Sequence, residues 1–230
     1  MNEEKQYKKC YVAFLDVLGF KEMIKTKSCE YIYEVFSKEF KQKIKQIYLG
    51  TTLVSDVSNV EMKVMSDSIC FYIDSNIKNS LFALVCATAH FQNELLCFED
   101  PVLTRGAIVY GDIFSEDDII YGPAFVDAYL KEEKLAKYPR IILDEGLIEK
   151  AESNSDNEVY KALNQLALFD FDGNFVVDYW QVYNEINKDK HLDLLSYIEK
   201  VISENDSESV VEKYKYFKSQ LLRRNRPGVK

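Results

Sequence analysis

The hydrophobic pattern changes its period several times along the chain. Cys10 to Val17, "CYVAFLDV", is a short apolar run of β-favouring residues that stops before Gly19, and it predicts a strand. From Phe20 to about Tyr48, apolar residues including Ile24, Tyr31, Val35, Phe36, Phe40, Ile44 and Ile47 recur at helical spacing between Lys and Glu. That pattern predicts a long amphipathic helix, with a break near Ser28. Val60 to Asp74, "VEMKVMSDSICFYID", alternates on both sides of "SDS" and predicts a tight hairpin with Asp67 at its tip. A largely apolar helix follows from Lys78 to Phe98, and then a strand from Leu103 to Phe114, "LTRGAIVYGDIF".

The order β, α, β, β, α, β predicts an α+β fold: a ferredoxin-like βαββαβ core with an antiparallel sheet backed by two helices. Beyond it the pattern gives a helix over about Pro123 to Ala136, a strand "RIILD" at Arg140 to Asp144, and a polar stretch "AESNSDNE". A hairpin "LALFDFDGNFVVDYW" and a C-terminal helix over about Leu192 to Leu222 complete it. No repeat or low-complexity linker interrupts the chain, so one domain over 1–230 is expected, with a core at about 10–145 and a C-terminal α/β elaboration at about 146–230.

Composition narrows the function classes. With 230 residues and 47% hydrophobic content the chain can bury a core. A net charge of −9 speaks against a broad nucleic-acid surface. The charged N-terminus and the shortness of "SLFALVCATAHF" predict no membrane span and a cytoplasmic protein. The five cysteines form no CxxC pair and read as reduced core residues, and with two histidines zinc is disfavoured. Any metal would be held by oxygen, which suggests magnesium, manganese or calcium.

The chemistry suggested by these residues centres on two carboxylates. In the expected topology the end of the first strand lies beside the hairpin, so Asp16 and Asp67 face each other at one edge of the sheet. Two such acids repel unless a cation bridges them or one is protonated. A pair of carboxylates suits magnesium shared with phosphate oxygens, and "VLGF", Val17 to Phe20, turns into a helix start where Gly19 lets the backbone approach a phosphate. The same residues also suit a helix cap at Asp16 and plain hairpin chemistry at Asp67. "FDFDG" reads as a turn at Asp172 and Gly173, since it lacks the remaining ligands of a calcium loop.

Phe14, Asp16, Gly19 and Phe20 match an F-x-D-x-x-G-F strand, Asp67 sits at a hairpin tip, and "RGAIVYG" offers Arg105 and Gly111 with Ala107 where a middle glycine is usual. In this the chain resembles the class III nucleotide cyclases over about Tyr11 to Asp144. The segments "FLDVLGFK", "SDSI", "RGAIVYGDI", "YGPAFVDAYLKEEKLAKYPRIILD" and "FDGNFVVDYW" further resemble the bacterial Pycsar pyrimidine cyclases, which make cyclic CMP or cyclic UMP in antiphage defence. The resemblance implies a homodimer that uses two magnesium or manganese ions, held by Asp16, Asp67 and the Val17 carbonyl, on a UTP or CTP substrate. It also implies a separate effector, outside this chain, that reads the product. Phe14, Leu18, Gly19, Phe20, Lys63, Arg105 and Tyr121 are then expected at the nucleotide.

Besides Ala107, the chain departs from the family at two points. Where the family has Asn followed four residues later by Arg, this sequence has Asp127 and Lys131, so the charge at the transferred phosphorus is assigned to Lys131, Arg105 or Arg140. Where adenylyl cyclases read the base with a Lys and an Asp, Lys63 holds the first place and Ile119 the second, which disfavours adenine. The alternatives are a purine cyclase and a catalytically inactive nucleotide-binding domain.

Overall fold

The computed structural model describes residues 5–36, 48–49, 52–53, 55–181 and 191–224. The first predicted strand is β1, Lys8–Val17, and the glycine turn after it opens α1, Phe20–Thr26. The helix pattern does break near Ser28: α2 is Cys29–Phe36, and the rest of the expected helix to residue 47 lies outside the described residues. Tyr48 itself is in strand: β2, Tyr48–Leu49, pairs with β3, Thr52–Leu53. A 3-10 turn at Ser55–Asn59 leads into β4, Glu61–Met65, and β5, Ser68–Asp74, which form the hairpin with Ser66 in the left-handed region at φ 60.

Helix α3, Ser80–Leu96, precedes the long strand β6, Thr104–Glu116. After β6 come β7, Ile119–Tyr121, and α4, Pro123–Leu135, with proline at a first-turn position where its missing N–H costs nothing. Strand β8 is Ile141–Leu143. The polar stretch contributes to two short helices, α5, Leu147–Glu152, and α6, Asn157–Gln165. Strands β9, Ala167–Phe169, and β10, Phe175–Val177, make the late hairpin around Gly173. The expected single C-terminal helix is two, α7, His191–Glu204, and α8, Glu208–Arg224.

The sheet order is β4-β5-β1-β6-β8-β10-β9, with β7 folded back on β6. Its first four strands have the ferredoxin-like order, with β1 antiparallel to both β5 and β6. The sheet is not wholly antiparallel, because β8 runs parallel to β6. Helix α4 lies in the connection between those two strands, and a crossover of that kind returns the chain in the same direction.

Strand β1 is buried on both faces, and its alternation separates two cores. Tyr11, Ala13, Leu15 and Val17 pack into the larger core with Phe71, Phe91 and most of α3. Cys10, Val12 and Phe14 face a smaller cluster with Ala124 and Ala128 of α4. Asp16 continues the second series, so its side chain is on the α4 side. Gly106 of β6 permits the close packing beside it: a Cβ there would lie 2.5 Å from the Phe14 carbonyl oxygen and closer still to Leu15 Cδ2. Trp180, Leu194, Ile198, Phe217 and Leu221 join the same core as Leu15, so the C-terminal elaboration buries its apolar face against the sheet system. Of the cysteines, Cys10, Cys70 and Cys86 are buried as expected, while Cys29 and Cys97 are exposed.

Candidate functional site

The rim of the sheet at the end of β1 gathers the charged residues. In the ladder Asp16 stands opposite Ser68 of β5 on one side and Arg105 of β6 on the other. The turn is tied down by backbone bonds: Val17 N–H donates to the Asp67 carbonyl at 2.9 Å, and Leu18 N–H donates to the Leu103 carbonyl at 2.9 Å. Asp16 and Asp67 are therefore brought to the same rim. Gly19 follows with φ 79, a left-handed conformation that favours glycine, and the space where its Cβ would be is open. The first amides of α1 have no carbonyl within the helix to bond.

Arg105 neutralises part of this acidity. Its Nε donates to Asp16 Oδ2 at 3.1 Å, and Nη1 donates to the Ala136 carbonyl at 3.5 Å. A third acid enters from α4: Glu132 Oε1 is 2.7 Å from Arg105 Nε. That contact has ion-pair distance without hydrogen-bond alignment, so Oε1 is buried with no hydrogen-bond partner. Glu132 is only 3% exposed. Burial pushes its carboxyl up to about 7; Arg105 opposes the rise, while Asp16, Glu133 and Asp67 reinforce it. Burial likewise raises the Asp16 carboxyl, against the pull of Arg105, with Asp67 adding to the rise and Lys213 of α8 opposing it.

A cavity of about 670 Å³ adjoins this rim, lined by Leu18, Gly19, Met23, Tyr31, Lys213 and Tyr214 among others. Lys213 thus brings a second cation from the C-terminal elaboration. The donor chemistry fits a divalent metal ion shared with phosphate oxygens, since two carboxylates, Asp16 and Asp67, are brought to one rim. Among the described residues no group of three His, Cys, Asp or Glu side chains is assembled for a metal, so Asp16 and Asp67 offer an open pair and not a closed cage.

The other expected site residues lie apart from this rim or in the core. Phe14 is buried on the α4 side, edge-on to Phe125 and Tyr129 at 5.6 Å each. Phe20 is a core residue packed edge-on against Phe36 at 5.6 Å. Lys63 of β4 donates to the Asp117 carbonyl at the β6–β7 turn and lines a separate cavity of about 480 Å³ with Met65 and Ile120. Tyr121 is half exposed, between Tyr7 and Phe114. Lys131 is paired with Asp144 and, at 3.5 Å, with Asp127.

Arg140 is withdrawn from the rim altogether. Nη1 donates to Asp170 at 2.6 Å, Nη2 donates to Asp172 at 2.6 Å and to the Leu135 carbonyl at 2.8 Å. Tyr216 donates to Asp170 at 2.6 Å and stacks on Tyr138 with ring centroids 4.6 Å apart. The guanidinium holds Asp172 down to about 2. Arg140 thus clamps the late hairpin and α8 together, which gives the carboxylates of "FDFDG" a counter-ion inside the chain.

Sequence reasoning missed Glu132 and Lys213. Glu132 was legible in principle, because Ala124, Ala128 and Glu132 recur every four residues, with Ala136 just past the helix end, and place an acid on the buried stripe of α4. Lys213 lies far along the chain on an ordinary amphipathic helix, and no local signal marks it.

No protein-family model and no curated protein matches the chain. Among solved structures it is similar to the catalytic core of a rhodopsin-guanylyl cyclase with converted specificity, solved in complex with ATPαS. That match has a TM-score of 0.51 at 12% identity over 76% of this chain and 98% of the other. Weaker likenesses are an adenylate/guanylate cyclase/hydrolase from Silicibacter pomeroyi (TM-score 0.42, 18% identity, 65% of this chain and 83% of that one) and a class III adenylyl cyclase-like ATP-binding protein from Pseudomonas aeruginosa. The latter has a TM-score of 0.45 at 8% identity, over 78% of this chain and 40% of that one. The first of these establishes the fold, that of a class III cyclase core; the other two add no weight.

Proposed function

We propose that the protein is a nucleotide cyclase that converts UTP or CTP into the 3′,5′-cyclic monophosphate and pyrophosphate. The observation that carries this reading is the meeting of Asp16 and Asp67 beside the Gly19 turn, on a sheet with the order of a cyclase core. In the reaction the ribose 3′ oxygen attacks the α-phosphorus. The bond from that phosphorus to the bridging oxygen breaks, pyrophosphate leaves, and the hydroxyl proton passes to solvent.

Asp16, Asp67 and the Val17 carbonyl are the residues that would hold two magnesium or manganese ions. When bound, these offset the charge of the triphosphate and acidify the 3′ hydroxyl. The chain itself positions and neutralises. Gly19 leaves room for a phosphate against the backbone, Arg105 is the cation within hydrogen-bond reach of Asp16, and Lys213 adds a second positive charge from α8. Of the cations expected to stabilise the transferred phosphorus, Arg105 is favoured. Arg140 and Lys131 are held by carboxylates of their own.

The pyrimidine preference is supported by Lys63 and Ile119. Lys63 is drawn onto a backbone carbonyl, and Ile119 offers no acceptor to an adenine amino group. A homodimer is supported by apolar side chains left open on α4 and β7, where Ile119, Tyr121, Val126, Tyr129 and Leu130 are all exposed. We read the product as a second messenger in bacterial antiphage defence, sensed by an effector outside this chain. Binding without turnover is a second reading, favoured by the observation that Lys131 and Arg140 are both engaged by carboxylates.

The test is incubation of the purified protein with each of the four ribonucleoside triphosphates and manganese, with products identified by mass spectrometry. Cyclic UMP or cyclic CMP from the parent and none from Asp16→Ala supports the proposal. Nucleotide binding with no cyclic product supports the second reading, and a cyclic purine product removes the pyrimidine assignment.

A further inference from the structure

Arg105 sits where a cation on Asp16 would sit, and beside it is a buried oxygen with no donor. Both acids approach the same nitrogen: Asp16 Oδ2 accepts from Nε at 3.1 Å, while Glu132 Oε1 lies at 2.7 Å but out of line. A buried carboxylate oxygen left unbonded is costly, and such atoms in a native fold call for an explanation. Packing alone does not supply one, because the neighbouring positions on the same stripe of α4, Ala124, Ala128 and Ala136, are small and apolar. The guanidinium is already anchored toward α4 through Nη1 and the Ala136 carbonyl.

We propose that Glu132 is a positioning residue that receives the Arg105 guanidinium when a divalent cation takes Asp16 and Asp67. The inference rests on the metal reading of that aspartate pair. A divalent cation and a guanidinium repel each other and compete for the same Asp16 oxygens. Arg105 must then give up its bond, and its Nε–H needs a new acceptor. Glu132 Oε1 is 2.7 Å away and has its bonding capacity unused, so the guanidinium needs only to turn. The exchange leaves every acid with a counter-ion: the divalent cation faces Asp16 and Asp67 together, and Arg105 stays with Glu132. Arg105 is thus a built-in stand-in for the cation in the metal-free protein, and Glu132 sets how readily it yields.

The experiment is titration of the full chain with Mn²⁺ alone, free ion being followed by electron paramagnetic resonance, in the parent and in Arg105→Met, Glu132→Gln and the double variant. Methionine keeps the aliphatic length of Arg105, and glutamine keeps the shape of Glu132. Removing the competitor in Arg105→Met is expected to tighten Mn²⁺ binding about tenfold, and Glu132→Gln to weaken it about tenfold, the scale of effects from groups that support metal ligands. In the Arg105→Met background, Glu132→Gln is expected to change the affinity less than twofold. A Glu132→Gln loss that persists without Arg105 means that Glu132 acts only as a nearby charge, and overturns the proposal. Unchanged or weaker binding in Arg105→Met also overturns it. A parent that binds no Mn²⁺, or binds it equally well as Asp16→Ala, refutes the metal reading instead.

A second measurement needs no stable variant at the buried acid. The Arg105 Nε–H resonance, assigned by its loss in Arg105→Met, is expected to shift on addition of diamagnetic Mg²⁺ in the parent. A resonance that stays in place while Mg²⁺ binds refutes the handover.

Discussion

Replacing Glu132 by glutamine should make the metal-free protein more stable at high pH and leave it nearly unchanged at low pH. The carboxyl is 3% exposed, and burial raises it from 4.5 to about 7. At about 1.4 kcal/mol for each tenfold change in proton affinity, that rise is worth about 3 kcal/mol. The folded protein binds this proton more tightly than the unfolded chain does. Its contribution is therefore complete below pH 4.5 and is lost as the pH climbs through about 7. Glutamine mimics the protonated acid at every pH, so the two proteins should match near pH 4.5 and diverge above it. For a chain of this length the difference amounts to roughly 6–12 °C in Tm at pH 8. Thermal melts from pH 4.5 to 8.5 in the presence of a chelator measure it. If Glu132→Gln is the less stable of the two at pH 8, the acid is an ionised partner that Arg105 compensates fully, and the reasoning from burial is wrong.

Asp16→Ala should lower cyclic product formation by about three orders of magnitude or more with the fold retained, since it removes a charge that acts on the transferred phosphoryl group; product assays and a melt on the same sample check both halves. Arg140→Met should cost about 3–5 kcal/mol, because it strands Asp170 in the interior, while kcat of the folded fraction stays within a few-fold of the parent. A selective loss of kcat without loss of Tm would return Arg140 to the site. Gly106→Ala should lower Tm by the equivalent of about 3 kcal/mol, since its methyl meets the Phe14 carbonyl and Leu15. Lys63→Ala should leave the choice among the four triphosphates unchanged, as its ammonium is held by the Asp117 carbonyl; a switch in product identity would show that it reads the base.

The parts of the fold that could be read from the chain are those governed by one dominant period. Strand β1, strand β5 and α3 bury most of their apolar residues, and β4 alternates about Met62, so no competing period suits the pattern. The first helix was legible as a pattern and also as a break, because Lys27 leaves the helix with extended backbone at φ −106, ψ 155. The C-terminal helix was misjudged for a reason of the same kind. Residues 205–207, Asn-Asp-Ser, carry polar side chains that can bond their own backbone and stop a helix, and Ser207 N–H indeed donates to Asn205 Oδ1 at 3.0 Å. The parallel β6–β8 pair had no local signature at all. It follows from where α4 crosses, which is a tertiary fact.

The site divides along a similar line. The placement of Asp16 and Asp67 at one rim was legible because a two-residue hairpin and a strand end fix where a residue stands to within one register position, and the Asp16–Ser68 pairing sets that register. Long cations are different: Lys131 and Arg140 have stems long enough to reach several acids, and a nearby carboxylate decides where each head goes, while Lys63 is drawn onto the Asp117 carbonyl. In a chain with 38 acidic against 29 basic residues such competitors are common, so a positive residue at an expected position does not by itself stand at the rim. Asp170 and Asp172 draw in Arg140, and Asp144 draws in Lys131. Arg105 is the exception that keeps a cation at the rim, because its strand partner is Asp16 itself and its second acid, Glu132, is set on the α4 side of the same rim. Under the proposed function, the positive charge offered to the phosphate is therefore fixed by strand register and not by side-chain reach, and a substitution that shifts the β1–β6 register should abolish cyclic-product formation even with every one of these residues still present.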